Sequence, residues 1–355
     1  MERLAVIWRS KVGRVAPRAP FGDTNPGARG TTRPAIPLIV FCFFSLLLTA
    51  AASSHNERSD KPTVIVVVGA AGEEEFGKEF TEAARRWESA TTTGGANFLS
   101  IGLTNAPRTN DAEQLHQALK REATNSTAEL WLVFLGHGTW DGKEAKFNLR
   151  GPDLSANDLV AILNQFTRPV AIINSASASA PFIKALSHPN HVVISSTRSG
   201  AEENYARFGR YISEAIAAPA ADLDKNGQTS LLEAFLIASR RVTEFYKAEG
   251  RLATEHALLD DNGDGFGTPA DWFRGVRAVK TPATGSTIDG VRAHQWHLVR
   301  SAAEQTLAPD QRRKRDAVEV EIATLRRRKA ELKEDDYYRE LERLLTELAP
   351  LIEPR

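Results

Sequence analysis

One twelve-residue stretch, Asp222 to Glu233, carries oxygen at the spacing that a hard divalent cation requires. Asp222, Asp224 and Asn226 offer side-chain oxygens on alternate residues, Gly227 permits a sharp turn, and Gln228 adds its main-chain carbonyl. Ser230 can hold a bridging water, and Glu233 can close the site with a bidentate carboxylate from the first turn of the next helix. Every specified position of D-x-[DN]-x-[DN]-G-x5-E is filled, so calcium is the expected cofactor.

Two departures from the usual EF-hand loop stand out. Thr229 occupies a position that is commonly aliphatic, and Pro219 interrupts the entering helix. A metal-free reading stays open, in which the polar residues form Asx turns and cap the following helix. A second acidic loop, Asp260 to Asp271, repeats the oxygens at Asp260, Asn262 and Asp264 and the glycine at Gly265. It replaces the closing glutamate by the shorter Asp271, and Pro269 stiffens its exit. Calcium and a plain turn-rich loop are both readings of it.

Nucleophile and general-base chemistry would sit elsewhere. Gly136-His137-Gly138 follows the apolar run LWLVFL, and Asn174-Ser175-Ala176-Ser177-Ala178-Ser179-Ala180 follows VAII. In open α/β sheets, functional groups collect at the carboxyl ends of strands. A histidine between glycines at such a place suits a general base, and also suits a simple turn cap.

The elements that must position these residues are legible from periodicity. Thr63 to Gly69, Asn97 to Leu103, Leu130 to Leu135, Val170 to Asn174 and His191 to Thr197 read as strands, several apolar throughout, as in a sheet covered on both faces. Between them, Glu73 to Ser89, Asp111 to Ala123, Ser155 to Phe166 and Pro181 to Leu186 read as helices. The alternation implies an α/β fold, a mostly parallel sheet with flanking helices. The expected organisation is a leader and linker over 1–60, the α/β domain over 61–217, the acidic-loop segment with its helix over 218–285, and an amphipathic helical extension over 286–355. The last of these carries Val318, Ile322, Leu325, Leu332, Leu341, Leu344, Leu345 and Leu348, with an interruption near Lys333 to Asp336.

The two strand-end motifs together resemble the caspase/legumain clan of cysteine peptidases, which place a His-Gly after one strand and the nucleophilic cysteine after the next. The resemblance covers residues 63 to 216 and implies a caspase-like fold. It assigns the general-base role to His137 and sets the nucleophile position at Ala176, with Phe182 on an aromatic that follows. Glu202-Glu203-Asn204-Tyr205-Ala206 is similar to a Glu-Ser-Ser-Tyr-Ala stretch that helps line the specificity pocket, so Glu202 is the implied pocket acid. The cysteine is missing at Ala176. The one cysteine of the chain, Cys42, lies in the apolar run Ile36 to Ala52, so no thiol nucleophile or disulfide framework belongs to the domain. A register one residue away makes Ser177 the nucleophile of a serine hydrolase, with Ser175 the other serine.

The apolar run follows an arginine-bearing leader and ends in small residues, as a secretory signal does. It is at the lower limit for spanning a bilayer, so export with cleavage and retention as an anchor at residues 36–52 both stand. Forty-five basic residues balance forty-five acidic ones, which argues against nucleic acid and leaves a protein or peptide as the expected partner. At 42% apolar and 25% charged, the chain is of ordinary globular composition. The expected function is an exported, calcium-binding, catalytically inactive binding or scaffold module, with hydrolysis by His137 and a serine as the rival.

Overall fold

The computed structural model describes residues 61–103, 110–280 and 288–352. The apolar run 36–52, read as an export signal or anchor, and Cys42 lie outside them. Strand β1 (Thr63–Val68) is buried at all six residues, and it alternates between two cores. Val64, Val66 and Val68 face one, while Ile65 and Val67 face the other. Burying each of these side chains contributes about 1.5–3 kcal/mol. An uninterrupted apolar strand is therefore the chemistry of a sheet with no wet face.

Around β1 lie β2 (Asn97–Ile101) and β3 (Leu130–Leu135), both parallel to it. The chain then forms a small antiparallel sheet from β4 (Gly138–Trp140), β5 (Ala145–Phe147) and β6 (Leu154–Ser155), which sequence periodicity did not reveal. It returns to the main sheet through β7 (Val170–Asn174) and β8 (His191–Ser195), again parallel. Strand β9 (Leu258–Asp260) pairs antiparallel with β8, and β10 (Thr268–Pro269) antiparallel with β9. The seven-stranded order is β10-β9-β8-β7-β3-β1-β2. The acidic-loop segment thus supplies the last two strands of the main sheet.

Helix α1 (Glu74–Thr93) covers one face with Phe80, Ala84 and Trp87. The opposite face is covered by α2 (Asp111–Arg121), α3 (Ala156–Leu163) and α4 (Pro181–Leu186) through Leu115, Leu159 and Phe182. Helices α5 (Phe208–Ala215) and α6 (Leu231–Ala248) join the α1 side. The fold class read from the sequence is the one observed: mixed α/β, with a mostly parallel sheet between helices and a helical C-terminal region.

Two short helices, α7 (Val291–Gln295) and α8 (Ala302–Thr306), precede a hairpin of α9 (Pro309–Arg327) and α10 (Glu334–Ile352). The hairpin has its own small core of Val318, Ile322, Leu325, Tyr337 and Leu344. Gln311 Nε2 donates to the Leu351 carbonyl at 3.2 Å, which brings the start of α9 to the end of α10. Gln295 Nε2 donates to the Asp316 carbonyl (2.9 Å) and to Glu319 (3.0 Å), tying α7 to α9. Among the described residues, no helix is long and apolar enough to cross a membrane.

Candidate functional site

The first acidic loop follows a short 3-10 turn at Pro219–Ala221 and leads into α6. Its shape is set by side-chain oxygens that accept from nearby backbone N–H groups. Asp222 Oδ2 accepts from Gly227 N (3.0 Å) and Asp222 Oδ1 from Asn226 N (3.2 Å). Asp224 Oδ1 accepts from Asn226 N (3.1 Å), and Asn226 Oδ1 from Gln228 N (3.0 Å). Such bonds need left-handed backbone at two places, and Lys225 (φ 63°) and Gly227 (φ 89°) provide it. Lysine adopts that conformation at a cost, so the loop is held there by its bonds.

Glu233 closes this loop and is fully buried. Its Oε1 accepts from Leu223 N (2.6 Å) and Asp224 N (3.2 Å), and its Oε2 from Ser230 N and Ser230 Oγ (both 2.8 Å). Ser230 Oγ in turn accepts from Glu233 N (3.2 Å), completing a capping box at the start of α6. Ser230 therefore commits its hydroxyl to the helix cap, and the bridging water expected of it has a competitor. The side chain of Gln228 is also engaged, accepting from Ser301 N at 3.0 Å. His294 of α7 reaches the loop from outside, its Nε2 lying 3.0 Å from Asp224 Oδ2. Sequence spacing missed this residue because it comes from a different helix.

The donor set fits calcium in part. Asp224 and Glu233 bring carboxylate oxygens within 4.8 Å of one another, as a hard cation requires, whereas Asp222 lies outside that group and its oxygens accept from Asn226 N and Gly227 N. The imidazole beside Asp224 is a nitrogen donor that such a loop does not ordinarily include.

The second loop repeats the local geometry closely. Asp260 Oδ1 accepts from Gly263 N and Asp260 Oδ2 from Gly265 N, both at 3.1 Å. Asn262 Oδ1 accepts from Asp264 N and Asp264 Oδ1 from Phe266 N, both at 2.8 Å. Gly263 (φ 80°) and Gly265 (φ 77°) are left-handed, like Lys225 and Gly227. The closing position differs. Asp271 is exposed and pairs with Lys280 Nζ at 2.6 Å, away from the oxygens of Asp260 and Asp264. Its short arm leaves its carboxylate with the lysine across the hairpin of Phe273–Arg274 and Arg277–Ala278. Among the described residues, Asp260, Asp264 and Asp271 do not bring three carboxylate oxygens within 4.8 Å of one another.

A different pair holds the second loop. Asp261 accepts from Gly290 N (3.0 Å) and Ala293 N (2.8 Å) at the start of α7. Asp289 accepts from Asp261 N (2.9 Å) and Thr268 Oγ1 (2.6 Å). Burial, with Asp261 close by, pushes the Asp289 carboxyl up to about 9, so it keeps its proton at neutral pH. Sequence reading passed over Asp261 because it falls between the ligand positions of the loop pattern.

At the strand ends, His137 follows β3 and packs its ring against Phe76 (4.9 Å between centroids), Phe80 (5.3 Å) and Tyr205 (5.8 Å). Its Nε2 lies 3.2 Å from the Ala71 carbonyl. Ser177 Oγ is buried and bonds only to the backbone of Gly138, donating to its O (3.1 Å) and accepting from its N (3.2 Å). Among the described residues Ser175 Oγ is buried without a partner, close to Gly209, where an added Cβ would lie 2.8 Å from the Ser175 Cβ. Ala176 is buried in the core under the small sheet, its N–H donating to Asn174 Oδ1 at 3.1 Å. Hence no hydrogen bond joins His137 to either serine.

Glu202 is placed near this end but committed internally. Its Oε1 meets His256 Nδ1 at 2.6 Å, and its Oε2 accepts from Arg198 N (3.0 Å) and His256 N (3.2 Å). Arg198 Nε also pairs with it at 3.2 Å, and its carbonyl accepts from Ala178 N at 2.8 Å, where Ala178 is left-handed (φ 54°). The implied pocket acid thus clamps the loop after β7 to the segment before β9, and its charge is balanced within the chain.

No protein-family model matches the sequence, and no curated protein does. Among solved structures, the chain is similar to a structural-genomics protein of Geobacter sulfurreducens, with 11% identity over 56% of this chain and 92% of that one, at a TM-score of 0.35. It is similar to caspase-1 of Spodoptera frugiperda, with 10% identity over 57% of this chain and 86% of that one, at a TM-score of 0.38. The Drosophila initiator caspase Dronc shares 10% identity over 57% of this chain and 80% of its own, at a TM-score of 0.37.

Proposed function

We propose that this chain is an exported, calcium-binding protein of caspase-like fold that works without catalysis, as a binding or scaffold module for a protein or peptide partner. The observation that carries the reading is the closure of the Asp222–Glu233 loop by Glu233 from the first turn of α6. Bound calcium would supply a charge-dense cross-link between the loop and the exit helix. Asp222, Asp224, Asn226, the Gln228 carbonyl and Glu233 would hold it. Two further observations support the non-catalytic part: alanine stands at the nucleophile position, and His137 bonds to a main-chain carbonyl. Export rests on the sequence of residues 36–52.

Calorimetric titration with calcium tests the site. The wild-type protein is expected to bind one ion at the first loop, and Asp222→Ala to lose it. Absence of binding at millimolar calcium removes the reading. A serine-directed activity probe tests the other half, with no labelling expected. Labelling abolished by both Ser177→Ala and His137→Ala would establish the hydrolase instead.

A further inference from the structure

We propose that His294 is a ligand of the Asp222–Glu233 site, giving it a nitrogen donor and an affinity for a divalent ion of the zinc class. This rests on the reading of that loop as a cation site. Ligand atoms of Asp224, Glu233 and His294 all lie within 4.8 Å of one another. They come from three separate elements, the loop, the first turn of α6 and α7. The 3.0 Å between His294 Nε2 and Asp224 Oδ2 is close to the ~3.3 Å separating neighbouring donors on a tetrahedral ion with bonds of about 2.0–2.1 Å. Calcium selects oxygen, whereas imidazole suits zinc, copper, nickel and iron.

A second observation points to a ligand at the same place. His297 is only 7% exposed, and its Nδ1 lies 3.1 Å from the Gln295 carbonyl. A carbonyl only accepts, so Nδ1 carries the proton and Nε2 presents a bare lone pair. Among the described residues that Nε2 is buried with no partner, an arrangement that costs free energy until something fills it. His294 and His297 line one cavity of about 510 Å3 together with Asn226 and Gln228 of the loop. The cavity thus borders the proposed ligand His294, and three residues further on His297 keeps its unsatisfied nitrogen buried behind the cavity wall.

The test titrates metal-stripped full-length protein with zinc chloride and, separately, with calcium chloride, for wild type, His294→Ala and His294→Gln. Zinc is expected to bind the wild type at one equivalent and both variants at least about tenfold more weakly, by analogy with the loss of a supporting metal contact. Calcium affinity is expected to change by less than about threefold. Cobalt in place of zinc is expected to give a visible absorption band that both variants lose. Near-UV circular dichroism checks that the variants are folded, and His294→Gln keeps a hydrogen-bond donor beside Asp224. Equal zinc affinity in wild type and variants, or calcium binding without zinc binding, overturns the nitrogen ligand and leaves the loop reading intact. Binding of neither ion to the wild type overturns both.

Discussion

The loops at 222–233 and 260–271 have the same local shape and different closures. Each turns a leading aspartate onto the N–H of a left-handed glycine five residues on, at 3.0 Å in one and 3.1 Å in the other. These bonds span a few residues, so a matching spacing of Asp, Asn and Gly reproduces them wherever it occurs. The closing residue has to cross the loop. Glu233 is long enough and rooted in an eighteen-residue helix, so its carboxylate returns to Leu223 and Asp224. Asp271 sits in a three-residue 3-10 turn and pairs outward with Lys280. The second loop is instead welded to its neighbours by Asp261 and Asp289. Loop pattern alone therefore does not decide how such a loop is closed.

The sharpest break of this comparison is substitution at the closing position. Glu233→Ala leaves Leu223 N, Asp224 N and Ser230 N without their acceptor and is expected to cost roughly 3–4 kcal/mol in urea denaturation. A loss below about 1 kcal/mol would mean that neither the capping box nor loop closure by Glu233 matters to the fold. Smaller effects are expected from a methyl group at the left-handed glycines. In Gly263→Ala the new Cβ would lie 2.8 Å from Pro189 N and 2.9 Å from the His188 carbonyl carbon, with an expected loss of about 2–3 kcal/mol. Gly227→Ala meets nothing nearer than Ser301 Cβ at 3.8 Å, so only the backbone cost of about 1 kcal/mol applies. Equal losses would dissolve the distinction between a packed loop and an open one.

The two loops should also differ in pH response. Asp289, held near 9 by burial and by Asp261, binds a proton in the folded protein that the unfolded chain releases near its ordinary value of about 3.9. Between those values the folded state carries the extra proton, so stability falls as pH rises, by at most about 1.4 kcal/mol per unit. Denaturation midpoints measured from pH 4 to 9 should show this decline, and Asp289→Asn should flatten it. A profile unchanged by that substitution would place the proton elsewhere. Least of all is expected from Asp271→Ala. An exposed pair of this kind contributes under about 0.5 kcal/mol, and a loss above 1 kcal/mol would mean that Asp271 holds more than Lys280.

Sequence periodicity resolved most of the main sheet because strands buried on both faces leave long apolar runs, as Thr63–Val68 and Leu130–Leu135 do. It missed β4, β5 and β6, which are two or three residues long, and the short strands β9 and β10 at one side of the sheet, which a polar loop separates. The oxygens of the first loop were legible because they act on the backbone within five residues of themselves. His294 was not, because its partner Asp224 is 70 residues away. Glu202 was legible as an acid but not in its role, since His256, its 2.6 Å partner, is supplied by a distant segment.

The sequence by itself determined the alternation of buried strands and amphipathic helices, the local turns of both acidic loops, and the absence of a thiol from the strand-end site. Those follow from side-chain period, short-range hydrogen bonding and composition, which need no long-range partner. Only the tertiary structure decided which loop is closed by its own carboxylate, that His137 faces the Ala71 carbonyl, and that Ser177 is spent on Gly138. Each of these depends on where chain segments dozens of residues apart are brought together by burial of the two sheet faces, and a one-dimensional spacing rule contains no term for that.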